Sequence, residues 1–99
     1  MIITVEKKKG DTYIEIDGHA NYAEYGKDIL CASVSILYYT LAQRLSELNC
    51  KHKKTQREGH IEIEVHSDDV KVNECIDTCL CGLELLANEY SEYIEYNPR

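Results

Sequence analysis

Three short stretches alternate apolar and polar residues with the period of a β-strand. Ile3 and Val5 alternate with polar neighbours, and Tyr13-Ile14-Glu15-Ile16-Asp17 does so more clearly. Lys8-Lys9-Gly10-Asp11 lies between them and supplies turn residues, so the pair reads as a hairpin. His60-Ile61-Glu62-Ile63-Glu64-Val65-His66 alternates strictly. It predicts a third strand that buries Ile61, Ile63 and Val65 and turns Glu62 and Glu64 to solvent or to the edge of a groove. The period then changes. Leu30, Val34, Leu37, Leu41, Leu45 and Leu48 recur at helical spacing. Asp28 stands where an N-cap carboxylate would accept the unpaired amides of the first turn. Ile29, Ala32 and Ile36 make the first half of this helix apolar elsewhere too, which predicts burial on several sides.

Ser67-Asp68-Asp69 punctuates the end of the third strand. A second helix follows, carrying Val72, Ile76, Leu80, Leu83 and Leu86 or Ala87 and ending near Tyr90. The tail, Tyr93-Ile94-Glu95-Tyr96 before Pro98, has the form of a short edge strand. Asn49 to Gly59 carries no apolar pattern and reads as a flexible connection. The predicted order is β-β-α-β-α with a final β. This is an α+β fold, one domain over residues 1–99, with a mainly antiparallel sheet packed by two helices. No internal repeat or low-complexity segment interrupts it.

Length and composition narrow the function classes. Ninety-nine residues allow one core and no second domain. A net charge of −7 argues against a nucleic-acid backbone as the main partner, because phosphate binding needs clustered cations; it favours encounter with a basic peptide. The two basic runs, Lys7 to Lys9 and Lys51 to Arg57, read as solvated turns. No stretch approaches the roughly 18 consecutive apolar residues of a membrane span. The apolar start runs into Lys7-Lys8-Lys9, the reverse of a signal peptide's order, so the expected location is cytoplasmic. Cys31, Cys50, Cys75, Cys79 and Cys81 are an odd number of cysteines, which suits free thiols in a reducing compartment. Cys75-x3-Cys79-x-Cys81 matches no common zinc spacing, and Cys50-x-His52 would need a fold chosen to suit. Neither metal nor cofactor is expected.

The chemistry concentrates at the first strand-to-helix junction. Gly18-His19-Ala20 ends the second strand, and ten residues later Cys31-Ala32-Ser33-Val34-Ser35 opens the helix. With Asp28 as N-cap, Cys31 is the third helical residue, where first-turn amides and the helix dipole favour a thiolate. His19 could take the thiol proton or pair with the thiolate. Asp28, three residues earlier, and Ser35, four later, share a helix face with Cys31. Asp28 could orient His19, while Ser35 could bond substrate or thiolate, and the helix-start amides could hold an oxyanion. Against this, a cysteine in an apolar helix is often just a small core residue, and Asp28 is a plain cap by default. Tyr22 and Tyr25, in the loop that Gly26 helps to close, are placed to cover a bound peptide.

Gly18-His19-Ala20, Tyr22-Ala23-Glu24 and Gly26-Lys27-Asp28-Ile29-Leu30-Cys31-Ala32-Ser33-Val34-Ser35 together resemble the signature of the ribosomal-processing cysteine protease family, Prp. The likeness continues more loosely through Gly82-Leu83 and Tyr90-Ser91-Glu92-Tyr93-Ile94, so it covers nearly the whole chain. Leu30 and Ser33 replace the commoner valine and alanine, and Tyr38-Tyr39 and the cysteine-rich second helix are less usual. The resemblance implies a small α+β homodimer that removes a short N-terminal extension from large-subunit ribosomal protein twenty-seven. It also implies cleavage after a hydrophobic, aromatic-rich motif under a mobile loop. Carried over, His19 is the base and Cys31 the nucleophile, with Asp28 and Ser35 as supporting polar positions. Three rivals stand beside this reading: a non-catalytic peptide-binding module, a phage-type homologue that processes a structural protein, and a redox-sensing thiol protein.

Overall fold

Turns held by glycine set the strand pairing. In a computed structural model that describes residues 1–24 and 28–99, Gly10 takes φ +82°, in the left-handed region that a side chain resists. It closes the turn from β1 (Ile2–Lys8) to β2 (Asp11–Asp17), and the two strands pair antiparallel from Lys8↔Asp11 to Ile2↔Asp17. After α1 (Ile29–Glu47) come β3 (His52–Arg57), β4 (His60–His66), α2 (Val70–Glu89) and β5 (Glu95–Pro98). The sheet order is β3-β4-β2-β1-β5. Every pairing is antiparallel except β1 with β5. The α+β architecture read from the sequence is therefore the observed one, with its terminal edge strand running parallel to β1.

Alternation sends one set of side chains to one face of this sheet. Ile3, Val5, Ile14, Ile16, Ile63 and Val65 are buried there, in one cluster with Leu30, Val34, Leu41 and Leu45 of α1 and Val72, Ile76, Leu83 and Ala87 of α2. The predicted N-cap of α1 forms, and α2 has one as well. Asp28 accepts the amides of Leu30 and Cys31, and Asp69 accepts that of Lys71. The first helix ends with Asn49 at φ +55°. The Cys50 amide bonds back to the Leu45 carbonyl at 2.9 Å and the Asn49 amide to that of Ser46 at 3.1 Å. This is the paired closure of a Schellman motif, which asparagine tolerates better than most residues.

Two expectations need correction. The connection Asn49 to Gly59 holds a strand, β3, whose side chains are almost all exposed. It is kept by its ladder to β4 and by the turn at Gly59 (φ +71°), not by apolar burial, so no periodicity marked it. The second correction concerns Ile29 and Ile36, which are 54% and 61% exposed. Only one layer of helices covers the sheet, so the far side of α1 has no layer to bury it.

The two helices come closest at Gly82. A Cβ there would stand 2.9 Å and 3.1 Å from the Cδ atoms of Leu37. Gly82→Val is expected to lower stability by about 1–3 kcal/mol, the usual cost of overfilling a packed contact. A lowered urea midpoint with an unchanged slope would be the sign.

Candidate active site

The site begins where β2 stops. Gly18, at φ +84°, turns the chain, and its amide donates to the Gly59 carbonyl at 2.7 Å. This bond carries the β2–β4 pairing one step past Asp17↔His60. The next two side chains part company: Ala20 is buried as an anchor, and His19 is exposed. The His19 ring lies against the β3–β4 turn, its Nε2 only 3.2 Å from where a Cβ on Gly59 would be. A glycine at 59 thus serves both the turn and the seat of the imidazole.

Asp28 closes the loop. Its Oδ1 accepts the Leu30 amide at 3.0 Å and the Cys31 amide at 3.1 Å. Its Oδ2 accepts the Tyr22 amide at 2.9 Å and the Ala23 amide at 3.5 Å. One carboxylate therefore starts α1 and ties the loop's beginning to its end. Partial burial works to raise the Asp28 carboxyl. The amide bonds from Cys31, Tyr22, Ala23 and Leu30 together outweigh it and hold the group below its ordinary value of 3.8. The expectation that Asp28 orients His19 is thus replaced, since both oxygens serve backbone amides. The helix-start amides change role too. Those of Leu30 and Cys31 serve Asp28, and that of Ala32 donates to the Asp28 carbonyl at 3.2 Å.

His19, Asp28, Cys31 and Ser35 line one open cavity of about 1070 Å³. Cys31 and Ser35 are half-buried on its floor. No hydrogen bond joins the Cys31 thiol to the His19 imidazole, and no described residue engages the Ser35 hydroxyl. Tyr22 does not line this cavity. Its ring meets those of Tyr90 (5.9 Å) and Tyr93 (5.1 Å) edge-on, which pins the start of the loop to the end of α2. Tyr25 and Gly26 lie outside the described residues.

One wall of the cavity went unseen in the sequence. Gln56, Arg57, Glu58 and Gly59 of the β3–β4 hairpin line the same cavity as His19 and Cys31. Gln56 is steadied by a bond to the Tyr39 hydroxyl at 2.7 Å. Glu58-Gly59, a turn dipeptide before an alternating strand, was the one signal that could have found this wall. A further cluster lies on the sheet face turned away from the helices. There Glu15, His60 and Glu62 bring donor atoms within 4.8 Å of one another, a grouping with the reach to hold a metal ion. In this structure both His60 ring nitrogens face carboxylates: Nδ1 stands 2.9 Å from Asp17 and Nε2 2.9 Å from Glu62. Ionised carboxylates only accept, so a protonated ring donates from both nitrogens and has no lone pair left for a metal.

The profile of a family described as cysteine protease Prp matches residues 1–95. The chain belongs to the cysteine protease Prp family. As a Prp-family member it is a cysteine protease, a hydrolase of peptide bonds. The ribosomal processing cysteine protease Prp of Staphylococcus aureus is 29% identical over 99 residues, spanning 96% of this chain and 93% of that protein. Among solved structures, S. aureus Prp with a covalently linked product peptide shares the fold at TM-score 0.86 and 24% identity, covering 99% and 98% of the two chains. The S. aureus enzyme with a substrate peptide gives TM-score 0.74 at 25% identity, with the same coverage. A Streptococcus mutans protein gives 0.76 at 28%, covering 98% of this chain and 91% of that one.

Of the five cysteines of this Prp-family chain, Cys31 is the one on a cavity wall with a histidine. Cys79 is buried, its thiol pushed up to about 11 by desolvation, and it donates to the Leu37 carbonyl at 3.6 Å. Burial likewise raises Cys50. Cys75 lies in a groove between the helices, and Cys81 is exposed.

Two measurements check this geometry. The stability that Asp28 contributes is complete above its ordinary value and is lost as pH falls through its lowered native value. Urea midpoints of wild type and Asp28→Asn should therefore differ at neutral pH and converge in acid. Gly59→Ala should cost about 1–2 kcal/mol for its left-handed backbone. It should also displace His19, lowering kcat about tenfold or more, since small misplacements of catalytic groups are costly.

Proposed function

We propose that this protein removes the N-terminal extension of large-subunit ribosomal protein twenty-seven, in the cytoplasm, as a homodimer, through a Cys31–His19 dyad. The observation that carries the chemistry is that Cys31 and His19 line the same cavity, one on a capped helix and the other on a strand end. The S. aureus relative is a ribosomal processing protease, which supports the substrate class. A net charge of −7 suits a basic ribosomal protein as partner. No described helix is long and apolar enough to cross a membrane.

In this reading a substrate peptide lies between the helix start and the β3–β4 hairpin and draws His19 and Cys31 together, as catalytic contacts often tighten only on binding. His19 takes the thiol proton, and the sulfur adds to the scissile carbonyl carbon. The carbon–nitrogen bond then breaks as His19 passes that proton to the leaving amine. Water, with His19 as base, hydrolyses the resulting thioester and frees Cys31. Because the Leu30 and Cys31 amides serve Asp28, the Ser35 hydroxyl is the donor available to the oxyanion, one helical turn from the sulfur. Tyr22 anchors the start of the loop.

The test is cleavage of a peptide spanning the extension and the mature start of the ribosomal protein. Wild type should cut it at one hydrophobic, aromatic-rich junction. Cys31→Ala and His19→Ala should each lose about a thousandfold or more of the rate, as removal of a nucleophile or its base does elsewhere. Undiminished cleavage by Cys31→Ala would remove the dyad. If the peptide is instead recovered intact, and iodoacetamide labels Cys31 no faster than Cys50, the protein is a binding module. Cutting of a phage structural protein but not of this peptide would overturn the substrate alone.

A further inference from the structure

Beside Gly59, at the edge of the cavity that it lines together with His19, His60 cross-links the strand ends that carry the site. His60 is only 9% exposed although its neighbours are charged. Its Nδ1 lies against Asp17 on β2 and its Nε2 against Glu62 on β4, each at 2.9 Å, and Glu15 stands 4.0 Å from Nε2. The Tyr13 hydroxyl touches both Glu15 (3.1 Å) and Glu62 (3.0 Å), steadying the carboxylates from β2. Asp17 is two residues before His19, and His60 follows Gly59, on which the His19 ring rests.

We propose that His60, as an imidazolium held between Asp17 and Glu62, is a positioning residue that fixes the β2 end and the β3–β4 turn and so aims the His19 ring at the cavity. The idea rests on His19 being the catalytic base. His19 has no side-chain partner of its own among the described residues, so its aim comes from the backbone, held at Gly18 and by the Met1 ammonium on the His19 carbonyl, and from Gly59 beneath the ring. Gly18 and Gly59 both adjoin the His60 clasp. If His60 loses a proton, one nitrogen faces a carboxylate with a lone pair, and one of the two links becomes a repulsion. The clasp therefore exists only while the ring is charged.

The charged groups around it set the direction. Asp17 first and then Glu62 raise the His60 pKa above its ordinary 6.5, while burial and Arg57 on β3 work the other way. Glu15 of β2 faces the same ring nitrogen. Since the native value is raised, the clasp is complete at and below the ordinary value and is lost as pH rises through the raised one.

The experiment compares kcat and KM for cleavage of the extension peptide by wild type, His60→Gln and His60→Arg between about pH 6 and 9. At the acid end His60→Gln should lower kcat about tenfold with KM little changed, as expected of a misaimed base. That gap should narrow as pH rises, because wild type then loses what the variant never had. His60→Arg keeps a permanent charge with donors enough for both carboxylates, so it should recover most of the loss and hold its kcat relative to His60→Gln across the range. A generic loss of stability would give a gap that does not depend on pH and that arginine does not repair; either result overturns the proposal. If His60→Gln does not fold, Asp17→Ala removes one of the two links and should show the same narrowing gap, whereas wild-type kcat at every pH would overturn it. Restoration of wild-type kcat at high pH by added zinc would mark the cluster as a metal site and also overturn it. His19→Ala, measured alongside, separates the two ideas. Full activity in that variant sinks the dyad, whereas a dead His19→Ala with a wild-type-like His60→Gln sinks only the clasp.

Discussion

Only one face of this five-stranded sheet is covered, and most of the molecule's chemistry follows from that. The covered face collects the aliphatic residues of β1, β2 and β4 against α1 and α2. The other face must be stable in water, so it carries Tyr13, Glu15, Asp17, His60 and Glu62 rather than more aliphatic surface. Alternation alone sorts these sets, since neighbours along a strand point to opposite sides. The same one-sided layering leaves the far side of α1 exposed and lets β3 be polar along nearly all its length.

The reactive junction depends on a second, smaller constraint. A loop must leave the sheet after His19 and return as a helix that presents Cys31. Asp28 meets this requirement by accepting two amides from the loop's start and two from the helix's first turn. The carboxylate that begins the helix is the one that shortens the path back to it. This arrangement also explains why Asp28 is spent as a structural anchor rather than as an orienter of His19. It leaves the histidine supported by backbone and by Gly59.

Legibility in the sequence followed the strength of the local signal. β2 and β4 each bury alternate aliphatics, and the helices carry long apolar spacings, so they stood out. β3 buries almost nothing, and Lys53-Lys54-Thr55-Gln56-Arg57 looks the same in an edge strand as in a loop. The site divided along the same line. Asp28 as a cap and Cys31 in the first helical turn are local facts and were readable. Gln56, Arg57 and Glu58 reach the cavity only because β4 pairs with β2, a contact across more than forty residues. Tyr22 likewise meets Tyr90 and Tyr93 from the far end of the chain.

By itself the sequence determined the identity and order of the elements that bury apolar surface, the cap that starts the first helix, and the candidate nucleophile and base. These depend on spacing within a dozen residues or on a motif, which short-range chemistry and family resemblance both preserve. The tertiary structure alone decided what those residues face. It seated His19 on Gly59, turned the Asp28 carboxylate to the backbone, and raised the β3–β4 hairpin as the second wall. It also drew His60 between Asp17 and Glu62. The physical reason is that strand pairing converts sequence separation into adjacency, and the hydrogen bonds that do so carry no periodic mark in the chain.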